Sequence, residues 1–242
     1  MRLFIAISFN EETKEQLMSH RNALKAASES GSFTSRENLH LTLAFLGECK
    51  AEQASLAVAA IDEIKLEPFG LSIERIGRFK RSDGDIWWAG IQENTPLSRL
   101  QRSLTDKLTT AGFDLDTRNF SPHITLGRCV VTDMIPKSIP AFGQTVRGIE
   151  LMKSERVNGK LTYTAIHTVK SIGLTNNQMW KAAENRDGTY DGKFFLAVKT
   201  TGIYCYPSCK ARTPLRKNVL YFATGKEARD AGFRPCKRCR PE

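Results

Sequence analysis

Histidine is scarce in this chain, with four in 242 residues, and long apolar runs are missing. No run approaches the ~20 residues that cross a bilayer as a helix, so no membrane partner is expected. The opening stretch, MRLFIAISFNEE, turns acidic after a short apolar run. A secretory leader needs a longer apolar region and a small-residue cleavage site, so a cytoplasmic protein is expected. Cysteine is also sparse outside one region. Cys49 and Cys129 stand alone, whereas Cys205, Cys209, Cys236 and Cys239 all fall in the last 40 residues. Without an oxidising compartment, clustered thiols point to a metal rather than to disulfides.

Charge is as uneven as cysteine. The net formal charge is +10. Residues 173–242 hold 14 Lys and Arg against 6 Asp and Glu, and residues 1–172 hold 22 against 20. A basic segment behind a near-neutral body suggests a polyanionic partner, most often nucleic acid. Two domains are expected, at 1–172 and 173–242.

Alternating apolar residues predict strands at RLFIAIS (2–8), ENLHLTLAFLG (37–47), GLSIERIGRF (70–79), DIWWAGI (85–91) and SPHITLGRCVV (121–131). Helical spacing follows Asn10 and Pro96, and an Ala-rich helix is read at 51–64. A proline-bearing loop and two further strands, near 146–154 and 161–169, complete this part. Strand pairs joined this closely leave no room for helical crossovers, so the expected class is α+β with antiparallel sheets. Beyond residue 174, Thr175 and Gln178 form a capping box, and FFLAVKTTG (194–202) reads as a strand.

Two of the four histidines sit in matching frames, HLTL at 40 and HITL at 123. Side chains alternate along a strand, so His40 and Thr42 share one face, and His123 and Thr125 another, while the leucines and Ile124 turn inward. Imidazole titrates near neutral pH, so one ring accepts a proton while the other donates one. Facing each other, such a pair suits in-line displacement at phosphorus, with the threonine hydroxyls on the non-bridging oxygens. The first domain lacks the acid cluster that a two-metal site needs, and no cofactor is expected there.

ENLHLTLAFLGE and SPHITLGR closely resemble the two signature motifs of the 2H phosphoesterase family, in its branch of RNA 2′,3′-cyclic phosphodiesterases, also called 2′-5′ RNA ligases. The resemblance covers about residues 1–170. It implies a bilobal, pseudo-twofold fold and hydrolysis of an RNA terminal 2′,3′-cyclic phosphate to a 2′-phosphate. It also implies that His40 is the general acid, that His123 is the general base, and that Phe45 and Arg128 stack on the terminal base. Each of these last two lies five residues after its histidine. Strict strand parity puts them on the wrong face, unless the strands end or twist at Gly47 and Gly127.

Cys205-x₃-Cys209 and Cys236-x₂-Cys239 form a four-thiolate set that suits one tetrahedral Zn²⁺. A metal also compensates for the small core of a short domain. TTGIYCYPSCKAR and AGFRPCKRCRPE strongly resemble the N-terminal zinc domain of the Ada DNA-repair family. That resemblance implies a small zinc-bound α/β domain in which Cys205 accepts a methyl group from DNA methylphosphotriesters. Arg212, Arg234, Lys237 and Arg238 would contact the nucleic acid. No helix-turn-helix region follows, so a transcription switch is not expected. The alternatives are a 2′-5′ RNA ligase, a phosphodiesterase for small cyclic nucleotides, and a nucleic-acid-binding protein with a purely structural zinc module. A monomer is expected.

Overall fold

The computed structural model describes residues 1–116, 119–171 and 173–241. The chain forms two compact units, Met1–Lys170 and Ser171–Glu242. In the first unit, β1 (Arg2–Ser8) leads into α1 (Glu11–Ala26). Asn10 starts this helix by accepting the Thr13 N–H at 2.8 Å, and Glu11 and Glu12 occupy its positive end. Next come β2 (Ser28–Phe33), β3 (His40–Glu48), α2 (Ala51–Asp62), β4 (Phe69–Phe79), β5 (Asp85–Ile91) and α3 (Thr95–Thr110). The unit closes with β6 (His123–Thr132), β7 (Lys137–Val146), β8 (Gly148–Val157) and β9 (Lys160–Lys170).

These strands build two antiparallel sheets, ordered β3-β1-β8-β9 and β2-β6-β5-β4-β7. One face of each sheet joins a common core. Leu3, Ile5, Ile7, Leu41 and Leu43 come from the first, and Ile73, Trp87, Ala89, Ile124 and Leu126 from the second. The helices complete this core with Leu17, Leu24, Ile61, Leu100, Leu104 and Leu108. The sheets meet where β3 and β6 run close without pairing, which brings the two histidine strands together.

Two strands depart from the sequence reading. Residues 137–146, expected as a loop, form β7. It lies at the edge of its sheet, where Pro140 removes no obligatory ladder bond. The polar stretch SESGSF forms β2 at the opposite edge, paired with β6 despite having no apolar alternation.

In the second unit, α4 (Asn176–Glu184) starts with the expected capping box of Thr175 and Gln178. A four-stranded sheet follows, ordered β12-β10-β11-β13, from β10 (Phe195–Val198), β11 (Ile203–Cys205), β12 (Val219–Phe222) and β13 (Arg234–Pro235). The strand expected over 194–202 is therefore shorter, because the chain turns after Val198. A short α5 (Gly225–Asp230) packs Ala228 against Phe195, Ala197 and Tyr204. Among the described residues, no helix is long and apolar enough to cross a membrane.

The turn between β4 and β5 bears on the end of β6. Gly84 has φ +100°, and a Cβ there would meet the Cys129 carbonyl carbon at 2.6 Å. Cys129 is itself left-handed, with φ 51°. Gly84→Ala is expected to cost about 1–3 kcal/mol, read as a lower urea midpoint with an unchanged m-value.

Candidate active site and metal centre

The strand register decides which side chains share a face. Across β1 and β3, Ser8 pairs with His40, Ala6 with Thr42 and Phe4 with Phe45. Ser8, Ala6 and Phe4 alternate regularly along β1, so their three partners share one face. The odd spacing is absorbed because Ile5 pairs with Ala44 while Ala6 pairs with Thr42, which leaves Leu43 as an extra residue. Such a bulge turns the strand by one side-chain position. Phe45 is accordingly 57% exposed and lies beside Phe4 rather than in the core.

The second motif repeats the device. His123 pairs with Gly90 and Thr125 with Trp88, but Gly127 pairs with Trp87, so Leu126 is extra. Leu126 and Gly127 are buried consecutively, and Arg128 emerges exposed on the histidine face. Both bulges fall three residues after the histidine. The turn of each strand thus happens at Leu43 and Leu126, earlier than at Gly47 and Gly127.

The two rings are held alike. His40 Nδ1–H donates to the Asn38 carbonyl at 2.7 Å, and His123 Nδ1–H donates to the Ser121 carbonyl at 2.8 Å. A carbonyl only accepts, so in each neutral ring the free lone pair lies on Nε2. The Thr42 hydroxyl donates to His40 Nε2 at 3.0 Å. Phe4 and the edge-on Tyr163 flank His40, and Phe79 meets His123 edge-on at 5.1 Å. Asn38 is buried, and its amide donates to the Leu161 carbonyl at 2.8 Å, which ties the segment before His40 to β9. Burial lowers the His40 pKa below the ordinary histidine value. The Asn38 hydrogen bond opposes this, and the positive charges of Arg128 and His123 add to it. Groups from the two sheets are therefore close enough to act on one another. His20 and His167 lie elsewhere, on Phe142 and Asp62.

In the second unit, the Cys236 N–H donates to the Tyr204 carbonyl, which sets Cys236 beside Cys205 at adjacent strand ends. A tight turn brings back Cys209, and Asp191 pins that loop through the Ser208 N–H at 3.1 Å. The four sulfurs lie within 4.8 Å of one another, against a tetrahedral edge of about 3.8 Å for Zn–S bonds of ~2.3 Å. Burial and crowding by the other sulfurs push the Cys205 pKa far up, and burial pushes Cys239 to about 12. Burial also disfavours the Cys236 thiolate, but backbone N–H groups of Cys239 and Arg238 bring its pKa down to about 7. Four thiolates this close repel one another unless a cation sits among them, so the donor set fits Zn²⁺. Among the described residues, this is the one cluster of three or more metal-ligating side chains.

Cys205, Cys209 and Cys236 open onto a cavity of about 600 Å³, walled by Trp180, Val198, Pro214 and Arg212. Arg234 and Lys237 are exposed near the cluster, whereas Arg238 donates to the Lys210 carbonyl at 2.8 Å and holds the cysteine loops together. The sequence reading missed Asn38 and Tyr163. Any residue offers a carbonyl at that position, so no residue-type signal marked Asn38.

Residues 7–88 and 90–163 match the model of the LigT like phosphoesterases, and the chain belongs to that family. Residues 178–242 match the metal binding domain of Ada. An RNA 2′,3′-cyclic phosphodiesterase of Archaeoglobus fulgidus is 33% identical over 162 residues, covering 64% of this chain and 91% of that protein. The crystal structure of E. coli LigT complexed with 3′-AMP covers 70% of this chain and 97% of that one, at TM-score 0.62 and 28% identity. The bifunctional transcriptional activator and DNA repair enzyme Ada of Escherichia coli is 55% identical over 73 residues, 30% of this chain. This chain spans only about a fifth of that protein's length.

Elemental analysis is expected to give one zinc per chain, lost in the Cys209→Ser/Cys239→Ser variant. A strong chelator should raise amide exchange across Ser171–Glu242 and leave the strands of Met1–Lys170 protected.

Proposed function

We propose that the first unit hydrolyses RNA terminal 2′,3′-cyclic phosphates to 2′-phosphates. The observation that carries this is the matched pair of imidazoles, each with Nδ1–H bound to a carbonyl and its lone pair on Nε2, on strands brought side by side. The family relatives named for this activity, and the LigT structure complexed with 3′-AMP, support the substrate class.

In this mechanism His123 Nε2 takes a proton from the attacking water as the new P–O bond forms. The P–O3′ bond breaks, and His40 Nε2 protonates the departing O3′, which leaves a 2′-phosphate and a free 3′-hydroxyl. Thr42 and Thr125 hydrogen-bond the non-bridging oxygens as their charge grows. Phe45 and Arg128 face the same space and hold the terminal base. His40→Ala and His123→Ala should each lower kcat by roughly 10²–10⁴, with wild-type turnover persisting in EDTA. Full activity in both variants would end this reading.

The His40 environment also predicts the pH profile. One limb of the kcat/KM bell should lie below the ordinary histidine value, whichever proton His40 carries. Removing a neighbouring positive charge favours the imidazolium, so Arg128→Ala should move that limb to higher pH.

For the second unit, the reading is methyl transfer to Cys205 from DNA methylphosphotriesters. Zinc held by the four cysteines would keep the sulfurs as thiolates at neutral pH. The Cys205 sulfur attacks the methyl carbon, the C–O bond breaks, and its electrons leave on the phosphate as a diester anion. The cavity gives Cys205 a route to the substrate, and Arg212 stands in its wall. After incubation with methylphosphotriester DNA, intact mass should rise by one methyl group that maps to Cys205. An unchanged mass, with zinc and DNA still bound, would leave a binding module only.

A further inference from the structure

The wet face that carries His123 continues across two more strands. Gly90 stands opposite His123, and Arg75 stands opposite Gly90. Trp88 stands opposite Thr125, and Gly77 stands opposite Trp88. The two glycines are where larger side chains lie flat on the sheet. A Cβ on Gly77 would meet the Trp88 ring at 2.3 Å, and one on Gly90 would meet Arg75 Nε at 2.6 Å. Both large side chains are thus laid down over neighbouring strands, and the Arg75 guanidinium carbon sits 5.9 Å from the Trp88 ring centroid. The Trp88 indole in turn lies 6.4 Å from the His123 ring.

Arg75 is exposed, and among the described residues it has no carboxylate partner. Arg78 makes the contrast. It lies on the other face, over Trp87, bound to Asp85 at 3.0 Å. Stacking occupies one face of the Arg75 fork and leaves its N–H edge free for a phosphate. Arg75 stands two strand spacings from His123, or about 10 Å.

We infer that Arg75, laid against Trp88 over Gly90, binds the phosphodiester on the 5′ side of the nucleotide bearing the cyclic phosphate. The protein therefore selects oligonucleotide ends over free cyclic mononucleotides. This inference rests on the phosphodiesterase reading and extends it to the identity of the substrate.

The test compares kcat/KM for a nucleoside 2′,3′-cyclic phosphate with that for a dinucleotide carrying the same cyclic end. Wild type should favour the dinucleotide by about tenfold, the scale of one charge-assisted contact. Arg75→Ala should abolish most of that ratio and flatten the slope of log kcat/KM against log salt by about 0.7 for the dinucleotide. Arg75→Lys should restore the slope but not the whole ratio. An absent preference in wild type, or a ratio equal in wild type and Arg75→Ala, overturns the subsite and leaves the phosphodiesterase reading standing. Failure of wild type to turn over either substrate overturns that reading, and this inference with it.

Discussion

Each motif histidine commits its Nδ1–H to the backbone carbonyl two residues earlier, at 2.7 Å for His40 and 2.8 Å for His123. This bond fixes both the tautomer and the plane of the ring, so only Nε2 is offered outward. A ring free to rotate would present either nitrogen, and proton transfer depends on heavy atoms within about 3 Å. The bond holds only if the carbonyl is held. At His40 that task falls to Asn38, whose buried amide is bound to Leu161 on the far strand of the same sheet. A four-stranded sheet therefore stands behind the orientation of one imidazole.

The second constraint is parity. A regular strand shows every other residue to one side, so the residue five places after a histidine belongs to the core face. One extra residue at Leu43 and one at Leu126 reverse that assignment. The cost is a break in the ladder at each of these residues. The result is one aromatic ring and one guanidinium delivered to the histidine faces without any change in direction of the chain. Gly84 and the left-handed Cys129 then accommodate β6 beyond Arg128.

Much of this was legible in the sequence, and the boundary of legibility is physical. The His-x-Thr pairs were readable because their geometry is local, two residues on one strand. The cysteines were readable because these ligands come as two short-range pairs, and the caps at Asn10 and Thr175 because the accepting side chain and the backbone N–H that donates to it lie three residues apart. The bulges were not readable, since Leu43 and Leu126 are ordinary leucines and the slip is a property of paired strands. β2 and β7 were hidden for a related reason. At a sheet edge, pairing is enforced by the neighbour rather than by the strand's own apolar pattern, so SESGSF and a proline-bearing segment both qualify.

The same physics sets the two proposed reactions apart. A phosphoester offers two electrophilic atoms, phosphorus and the carbon of its alkyl group. Attack at phosphorus by water needs a base for the incoming oxygen and an acid for the outgoing one, because neither oxygen moves readily without its proton. That demand is met by two groups of one chemical kind in different surroundings, and burial beside Arg128 separates His40 from an ordinary histidine. Attack at carbon needs no proton transfer, since the leaving group is a stable phosphodiester anion. It needs a sulfur that is already ionised. Imidazoles in a partly wet cleft suit the first demand, and a crowded thiolate set compensated by a dication suits the second. Neither constellation could substitute for the other.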